Sequence, residues 1–233
     1  IEDACHAPGA FIIDDNGEKQ LCGNGRFADM TVFSFHPVKH IACGEGGMIT
    51  TNDEELYKKL LSLRTHGITK DPSVMLKNDG GWYYEMHELG YNYRLTDFQA
   101  ALGLSQLKRA DQGLERRRAI ARKYDEAFAG NSNIKPLQPH PENGHAYHLY
   151  VIRVEDRKGL YDYLRSQNIF TQVHYIPVHT LPYYQSLGFK QGSFPEAEQY
   201  YNQCLSLPMF PSLKDEEQMF VINTIESFVN ERS

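Results

Sequence analysis

The sequence lacks three features that mark common classes of protein. It has no tract of basic residues, because 24 Lys and Arg are outnumbered by 30 Asp and Glu and the net charge is −6. No apolar run approaches the roughly 20 residues of a membrane-spanning helix, and no signal peptide is recognisable. We therefore expect neither nucleic acid nor a membrane among its partners.

Cysteine is scarce and forms no recognisable motif. The four cysteines are Cys5, Cys22, Cys43 and Cys204, and none belongs to a C-x-x-C pair. This pattern predicts neither a disulfide framework nor a metal site, and we expect reduced thiols in a cytoplasmic protein. Cys43 lies close to Lys39 and is a candidate nucleophile, although no motif pairs it with a base.

The first third of the chain alternates short apolar segments with a helical pattern. Strands are predicted at 11–13, 30–35 and 47–51, and a helix capped by Asn52 is predicted to end at Gly67. Strands that alternate with helices are typical of an α/β protein with a mainly parallel sheet. The hydrophobic fraction of 41% is sufficient for a packed core.

The rest of the chain predicts a long helix and then a second domain. A capping box at Thr96–Gln99 opens a helical pattern that continues to about Phe128, and the Pro- and Asn-rich segment 131–143 indicates a boundary. Beyond it we predict a strand, a helix and an extended segment, at 147–154, 160–167 and 171–175. The predicted domains are 1–130, which includes the long helix, and a small α+β domain at 131–233.

Lys39 has neighbours that suit covalent chemistry. It follows the strand predicted at 30–35 and precedes the glycine-rich run Gly44–Gly47. An amine at such a strand end can form a Schiff base, while the hydroxyl of Ser34 and nearby backbone N–H groups can bind a phosphate. A single lysine is most often a solvated surface residue, but the apolar residues around Lys39 favour a desolvated, nucleophilic amine.

Two further segments carry polar side chains at the ends of predicted elements. Asp3 and His6 lie at the end of a strand, where a carboxylate can pair with a protonated ring nitrogen and an imidazole can contact the same ring. Asn92 and Arg94 precede the long helix and suit phosphate or carboxylate recognition. The simpler alternatives are a surface acid with an ordinary histidine, and a turn cap with a surface ion pair.

Together these motifs resemble a known family. The segments EDACHA at 2–7, SFHPVK at 34–39 with GEGG at 44–47, GYNYRLTD at 90–97 and VHYIPVH at 173–179 occur in its order. They resemble the DegT/DnrJ/EryC1/StrS family of pyridoxal-phosphate-dependent sugar aminotransferases, which have aminotransferase fold type I. Within the family, the chain is most similar to nucleotide-sugar 4-aminotransferases of the pseudaminic-acid pathway type.

The resemblance implies a cofactor and a role for each motif residue. Pyridoxal phosphate would bond to Lys39, which would also carry a proton during catalysis, and Asp3 would keep the ring nitrogen protonated. His6 would contact the ring and Ser34 the phosphate. Asn92 would reach the phosphate in the neighbouring subunit, so the active site would be shared across a homodimer.

The resemblance also implies the substrate. Arg94 would lie near the shared site, and His174, Tyr175 and His179 would line the substrate side. The expected reaction transfers an amino group from glutamate to a UDP- or dTDP-linked 4-keto-6-deoxy sugar, in cell-surface polysaccharide or glycan biosynthesis.

The chain departs from the family in its length. Members are much longer, and Ile1-Glu2-Asp3 has the pattern of a strand end, so we expect the chain to be the C-terminal part of a longer protein. A phosphate loop and a ring-stacking aromatic residue would then lie upstream, and this chain alone would bind the cofactor poorly. Two alternatives stay open: a keto-sugar dehydratase of the same fold, which Lys39 disfavours because such relatives have histidine there, and a non-catalytic homologue that binds sugar nucleotide.

Overall fold

The computed structural model describes residues 1–230. The chain divides into two compact units, Ile1–Ala110 and Asp111–Ser233. The elements of the first unit are β1 (Glu2–Asp3), β2 (Phe11–Ile13), β3 (Lys19–Leu21), β4 (Thr31–Ser34), β5 (Gly47–Thr50), α1 (Glu54–Leu63), β6 (Ile68–Thr69), β7 (Glu85–Met86) and α2 (Asp97–Leu107). The later elements are α3 (Ala110–Phe128), β8 (Lys135–Pro136), β9 (Tyr150–Arg153), α4 (Arg157–Ser166), a 3₁₀ turn (Val178–Thr180), α5 (Pro182–Ser186), α6 (Pro195–Gln203), β10 (Cys204–Leu207) and α7 (Asp215–Asn230).

A three-stranded sheet in the order β1-β4-β5 lies at the centre of the first unit. Strand β1 runs parallel to β4, with Asp3 opposite Val32, whereas β5 is antiparallel to β4, with Ser34 opposite Gly47. Two further antiparallel pairs, β2-β3 and β6-β7, complete the unit. The strands predicted at 11–13, 30–35 and 47–51 are confirmed to within two residues at each end. The mainly parallel sheet is not seen in the described residues, where β1-β4 is the parallel pair.

The helix ends follow local side-chain chemistry. The N-cap of α1 is Asp53, whose Oδ1 accepts hydrogen bonds from the N–H groups of Glu55 and Leu56, so the cap predicted at Asn52 is wrong by one residue. The capping box predicted at Thr96–Gln99 is present at the start of α2. Asp53, not Asn52, caps α1 because its carboxylate lies two and three residues before the free N–H groups of Glu55 and Leu56 and accepts hydrogen bonds from both.

The single long helix predicted from 97 to 128 is two helices. Helix α2 ends at Leu107 and α3 begins at Ala110, and the intervening residues include neither Gly nor Pro to mark the break. Ile120, Tyr124 and Phe128 of α3 belong to the core of the second unit. The unit boundary therefore lies at 110, not near 130, because the apolar face of α3 packs into the core of the second unit.

The second unit is built around an antiparallel sheet in the order β10-β9-β8. Helices α3, α4 and α7 contribute to its core, which includes Ile120, Tyr124, Ile152, Leu160, Leu164, Leu205 and Ile225. The strand predicted at 147–154 and the helix predicted at 160–167 are confirmed as β9 and α4, although α4 begins three residues earlier. Within residues 1–230, no helix combines the length and apolar character needed to cross a membrane.

Candidate active site

The carboxylate of Asp3 lies at the carboxyl end of β1, beside the parallel strand β4. The N–H of Cys5 donates a hydrogen bond to Asp3 Oδ1 at 3.0 Å. Hydrogen bonds from the Cys5 side chain and backbone lower the pKa of Asp3, and the charges of His6 and Lys39 lower it further. The structure thus places an ionised carboxylate within electrostatic reach of His6 and Lys39.

Lys39 lies in a tight turn that follows β4. Its N–H donates to the carbonyl of His36 at 2.9 Å, and its side chain is half-buried. Ser34 is the last residue of β4, and its Oγ accepts a hydrogen bond from the N–H of His36 at 3.3 Å. Because β1 and β4 are parallel, Asp3 and Ser34 belong to the same edge of the sheet, where α/β proteins commonly bind ligands.

The glycine-rich run closes a loop around Lys39. The N–H of Phe35 donates to the carbonyl of Gly46 at 2.8 Å, and the N–H of Cys43 donates to the carbonyl of Phe35 at 3.0 Å. Cys43 is 2% exposed, and burial raises the pKa of its thiol, which donates to the carbonyl of Glu45 at 3.0 Å. A buried, protonated thiol is a poor nucleophile, so this geometry favours a structural role for Cys43.

Gln99 contacts the loop that contains Lys39, whereas the sequence predicted for it only a role in the capping box of α2. Its Nε2 donates to the carbonyl of Glu45 at 2.9 Å, across 54 residues of sequence. The capping-box pattern signals the first role of Gln99, but nothing in the pattern signals the second. The contact joins the start of α2 to the loop that contains Lys39.

Asn92 and Arg94 lie in an exposed, extended segment. Asn92 forms a β-bridge with Thr65, and the N–H of Tyr93 donates to the carbonyl of Arg64 at 2.9 Å. The rings of Tyr91 and Tyr93 stack with centroids 4.8 Å apart. Backbone contacts with residues 63–66 thus hold the segment, and Asn92 and Arg94 are both exposed to solvent.

The three small-domain residues have different surroundings. His174 Nδ1 forms a hydrogen bond with Ser206 Oγ at 2.8 Å, and Tyr175 is 59% exposed with its ring edge-on to that of His174. His179 is 7% exposed, and its Nε2 forms a hydrogen bond with Glu198 Oε1 at 2.7 Å. This hydrogen bond is the main cause that lowers the pKa of Glu198. Of the three, Tyr175 is the one that presents its side chain to solvent.

The described residues include no group of three or more His, Cys, Asp and Glu side chains arranged to bind a metal ion. All four cysteines are free. The polar chemistry of the candidate site therefore consists of Asp3, His6, Ser34 and Lys39, on and after two neighbouring strands of the first unit.

Comparison with known proteins identifies relatives along nearly the whole chain. The chain is 40% identical to the spore coat polysaccharide biosynthesis protein SpsC of Bacillus subtilis, and the match covers 98% of this chain and 59% of that protein. It is 36% identical to the UDP-4-amino-4,6-dideoxy-N-acetyl-beta-L-altrosamine transaminase of Campylobacter jejuni, with 98% and 58% covered. The PLP form of Spr1654 from Streptococcus pneumoniae superposes with a TM-score of 0.85 at 34% identity, over 98% of this chain and 57% of that one.

The chain thus spans less than two thirds of the length of these relatives. The family model described as the DegT/DnrJ/EryC1/StrS aminotransferase family matches residues 1–226. The resemblance drawn from the motifs, and the aminotransferase fold type I that it implied, are confirmed. The chain belongs to the DegT/DnrJ/EryC1/StrS aminotransferase family.

Proposed function

We propose that the protein containing this chain is a pyridoxal-phosphate-dependent aminotransferase that acts on a nucleotide-linked keto sugar. One observation carries the proposal: Asp3 ends one strand of a parallel pair, and Lys39 follows the other strand, close enough for its charge to contribute to the lowered pKa of Asp3. Spr1654, which shares the fold, exists in a PLP form. The C. jejuni relative is named as a transaminase of a UDP-linked amino sugar.

The residues present fit pyridoxal phosphate. A primary amine at Lys39 matches its aldehyde, the ionised Asp3 matches its ring nitrogen, and the Ser34 hydroxyl matches its phosphate. When bound, the cofactor supplies an electron sink for the carbon atoms that exchange the amino group. This fit depends on the chemistry of the donor set at one sheet edge.

The chain's own residues have separable tasks in this proposal. Asp3 keeps a proton on the ring nitrogen, which its lowered pKa favours because the carboxylate stays charged. Lys39 Nζ accepts and returns the proton at the reacting carbon. His6, which contributes charge next to Asp3, would contact the ring.

The substrate proposal rests on the names of the relatives. A UDP- or dTDP-linked 4-keto-6-deoxy sugar would accept the amino group and glutamate would donate it, in the biosynthesis of a surface polysaccharide. Tyr175 is the small-domain side chain best exposed to contact such a substrate. His179 is already paired with Glu198, so a contact with substrate would use the rest of its ring.

We also propose a cytoplasmic homodimer in which Asn92 completes the partner's site. Support comes from apolar side chains near Asn92 that face solvent, with Tyr93 at 71% and Phe98 at 91% exposed. Exposed apolar surface of this kind marks sites of association. Arg94 lies between these two residues and would approach the same shared site.

Borohydride trapping tests the proposed function. The full-length protein that contains this chain is mixed with pyridoxal phosphate, reduced, and digested, and each lysine is quantified by mass spectrometry. We expect the modification to concentrate on Lys39, to vanish in Lys39→Arg, and to fall in Asp3→Asn, while the exposed Lys58 serves as the background control. Equal modification of Lys39 and Lys58 would contradict the proposal.

Product analysis then separates the alternatives. With a 4-keto sugar nucleotide and glutamate, the full-length protein is expected to release 2-oxoglutarate in proportion to amino sugar. Loss of water from the sugar without 2-oxoglutarate would instead support the dehydratase alternative. Binding of the sugar nucleotide without either product would support the non-catalytic homologue.

A further inference from the structure

One side of the start of α2 lies directly against the loop that contains Lys39. The contacting residues Leu95, Gln99 and Gly103 recur at a spacing of four, which places Gln99 and Gly103 on one helix face. A Cβ atom at Gly46 would lie 2.9 Å from Leu95 Cδ1, and one at Gly103 would lie 3.7 Å from Cys43 Cβ. The two segments therefore pack against each other, and of the two glycines only Gly46 leaves no room for a side chain.

Gln99 forms two kinds of hydrogen bond with opposite ends of one amide. Its Oε1 accepts from the N–H of Thr96 at 3.0 Å and from Thr96 Oγ1 at 2.9 Å, which completes the capping box. Its Nε2 donates to the carbonyl of Glu45 at 2.9 Å. A glutamate at this position would accept the hydrogen bonds from Thr96 equally well. The hydrogen bond donated to the Glu45 carbonyl, in contrast, requires the amide of a glutamine.

The carbonyl that Gln99 contacts belongs to the hydrogen-bonded loop around Lys39. Glu45 O also accepts from Cys43 Sγ at 3.0 Å, and the next carbonyl, at Gly46, accepts from the N–H of Phe35 at 2.8 Å. If the hydrogen bond from Gln99 were lost, the Cys43 thiol would be the remaining donor to the Glu45 carbonyl among the contacts described above. The loop from Phe35 to Gly46 is thus anchored to α2 through one side-chain amide.

We propose that Gln99 is a positioning residue for Lys39, acting through the backbone of Glu45. The inference rests on the proposed function for its catalytic meaning, because Lys39 is the residue that would bond to the cofactor. The same amide ties the Lys39 loop to the exposed segment that carries Asn92 and Arg94, which ends immediately before Leu95. The position of the amine and the position of these two side chains are therefore coupled.

Three variants separate the anchor from the cap. Gln99→Glu keeps the acceptor for Thr96 and removes the donor to Glu45, whereas Thr96→Ala removes the capping hydroxyl and keeps the donor. Gln99→Met removes both the donor to Glu45 and the acceptor for Thr96 without adding charge, and it serves, by comparison with Thr96→Ala, if Gln99→Glu does not fold. The readouts are the modification rate of Cys43 by a thiol reagent, and the absorbance band and borohydride trapping of pyridoxal phosphate on Lys39. Cys204, which is fully buried in the second unit, is the internal control.

Loss of one hydrogen bond that stabilises the closed loop should accelerate Cys43 modification roughly tenfold in Gln99→Glu and Gln99→Met. The absorbance band of Lys39-bound cofactor should weaken in the same two variants, while Thr96→Ala keeps wild-type values for both. The proposal is overturned if Cys43 reacts within twofold of wild type in both Gln99 variants, or if Thr96→Ala accelerates it equally. If the full-length wild type itself traps no cofactor on Lys39, the proposed function fails, whereas the Cys43 rates still decide whether Gln99 anchors the loop.

Discussion

Arg117 offers the sharpest test of how the second unit is held together. It is 5% exposed, and its Nη1 donates to the carbonyls of Tyr147, His148 and Met209 at 3.1, 3.2 and 3.0 Å. These carbonyls come from two separate segments, so one side-chain nitrogen joins α3 to both. Burial lowers the pKa of Arg117 to about 10 from its usual 12.5.

The expected cost of removing Arg117 depends on two opposing effects. The pKa shift corresponds to about 3 kcal/mol by which burial disfavours the charged side chain. Two of these carbonyls are buried and that of Tyr147 is partly buried, and loss of the hydrogen bond from Arg117 would cost about 1–3 kcal/mol at each. Arg117→Met should therefore lower the free energy of unfolding by about 3 kcal/mol. Arg117→Lys should lower it by about half as much, because the three contacts converge on one nitrogen that an ammonium can partly replace.

Urea titration followed by circular dichroism measures these free energies. Arg122, which is exposed on the same helix, is the matched control, and Arg122→Met should change stability by about 0.5 kcal/mol or less. If Arg117→Lys were as destabilising as Arg117→Met, the convergence of contacts on Nη1 would not explain the role of Arg117. If neither variant differed from the control, Arg117 would not join the segments at all.

Two further predictions concern the first unit. Hydrogen bonds, first from His87, hold the pKa of Glu85 at about 2 instead of 4.5. The stabilisation of the 70–84 loop by the Glu85 carboxylate is therefore present above pH 4.5 and lost as the pH falls through about 2. Glu85→Gln should abolish this acid transition and speed trypsin cleavage at Lys77, and an unchanged cleavage rate would contradict the role of Glu85. Gly46 has a φ of +147° and no room for a Cβ atom, so Gly46→Ala should destabilise the first unit by about 2 kcal/mol in thermal unfolding. Gly81 has open space around it, so the control Gly81→Ala should have almost no effect. Equal effects of the two substitutions would refute the close approach at Gly46.

Features that depend on neighbouring residues were predictable from the sequence. The Thr96–Gln99 capping box and the strand that ends near Ser34 are encoded within four to six consecutive positions. Asp3 and Lys39 were both placed at strand ends from the local sequence, whereas their joint role was expected only from the resemblance to the family. The antiparallel direction of β5 was missed because apolar content indicates a strand but not its partner's direction.

Features that depend on distant partners were not predictable. The hydrogen bond from the Gln99 side chain to the Glu45 carbonyl joins residues 54 positions apart. Neither residue type predicts that a side chain will contact the backbone at that position. His179 has the motif context of a substrate contact, yet its ring nitrogen pairs with Glu198. The break between α2 and α3 contains no Gly or Pro, so nothing in the local sequence marks it.

Directional hydrogen bonds hold the segments around the candidate site. Glu2 Oε2 accepts from the N–H of Gly23 at 3.1 Å and from Thr31 Oγ1 at 3.0 Å, and Gln99 Nε2 donates to the carbonyl of Glu45 in the Lys39 loop at 2.9 Å. Hydrogen bonds have a narrow geometric optimum while apolar contacts tolerate sliding. A framework of directional bonds is thus the better means of placing one amine against one carboxylate, and the deletion of a single donor should displace Lys39 before it unfolds the unit.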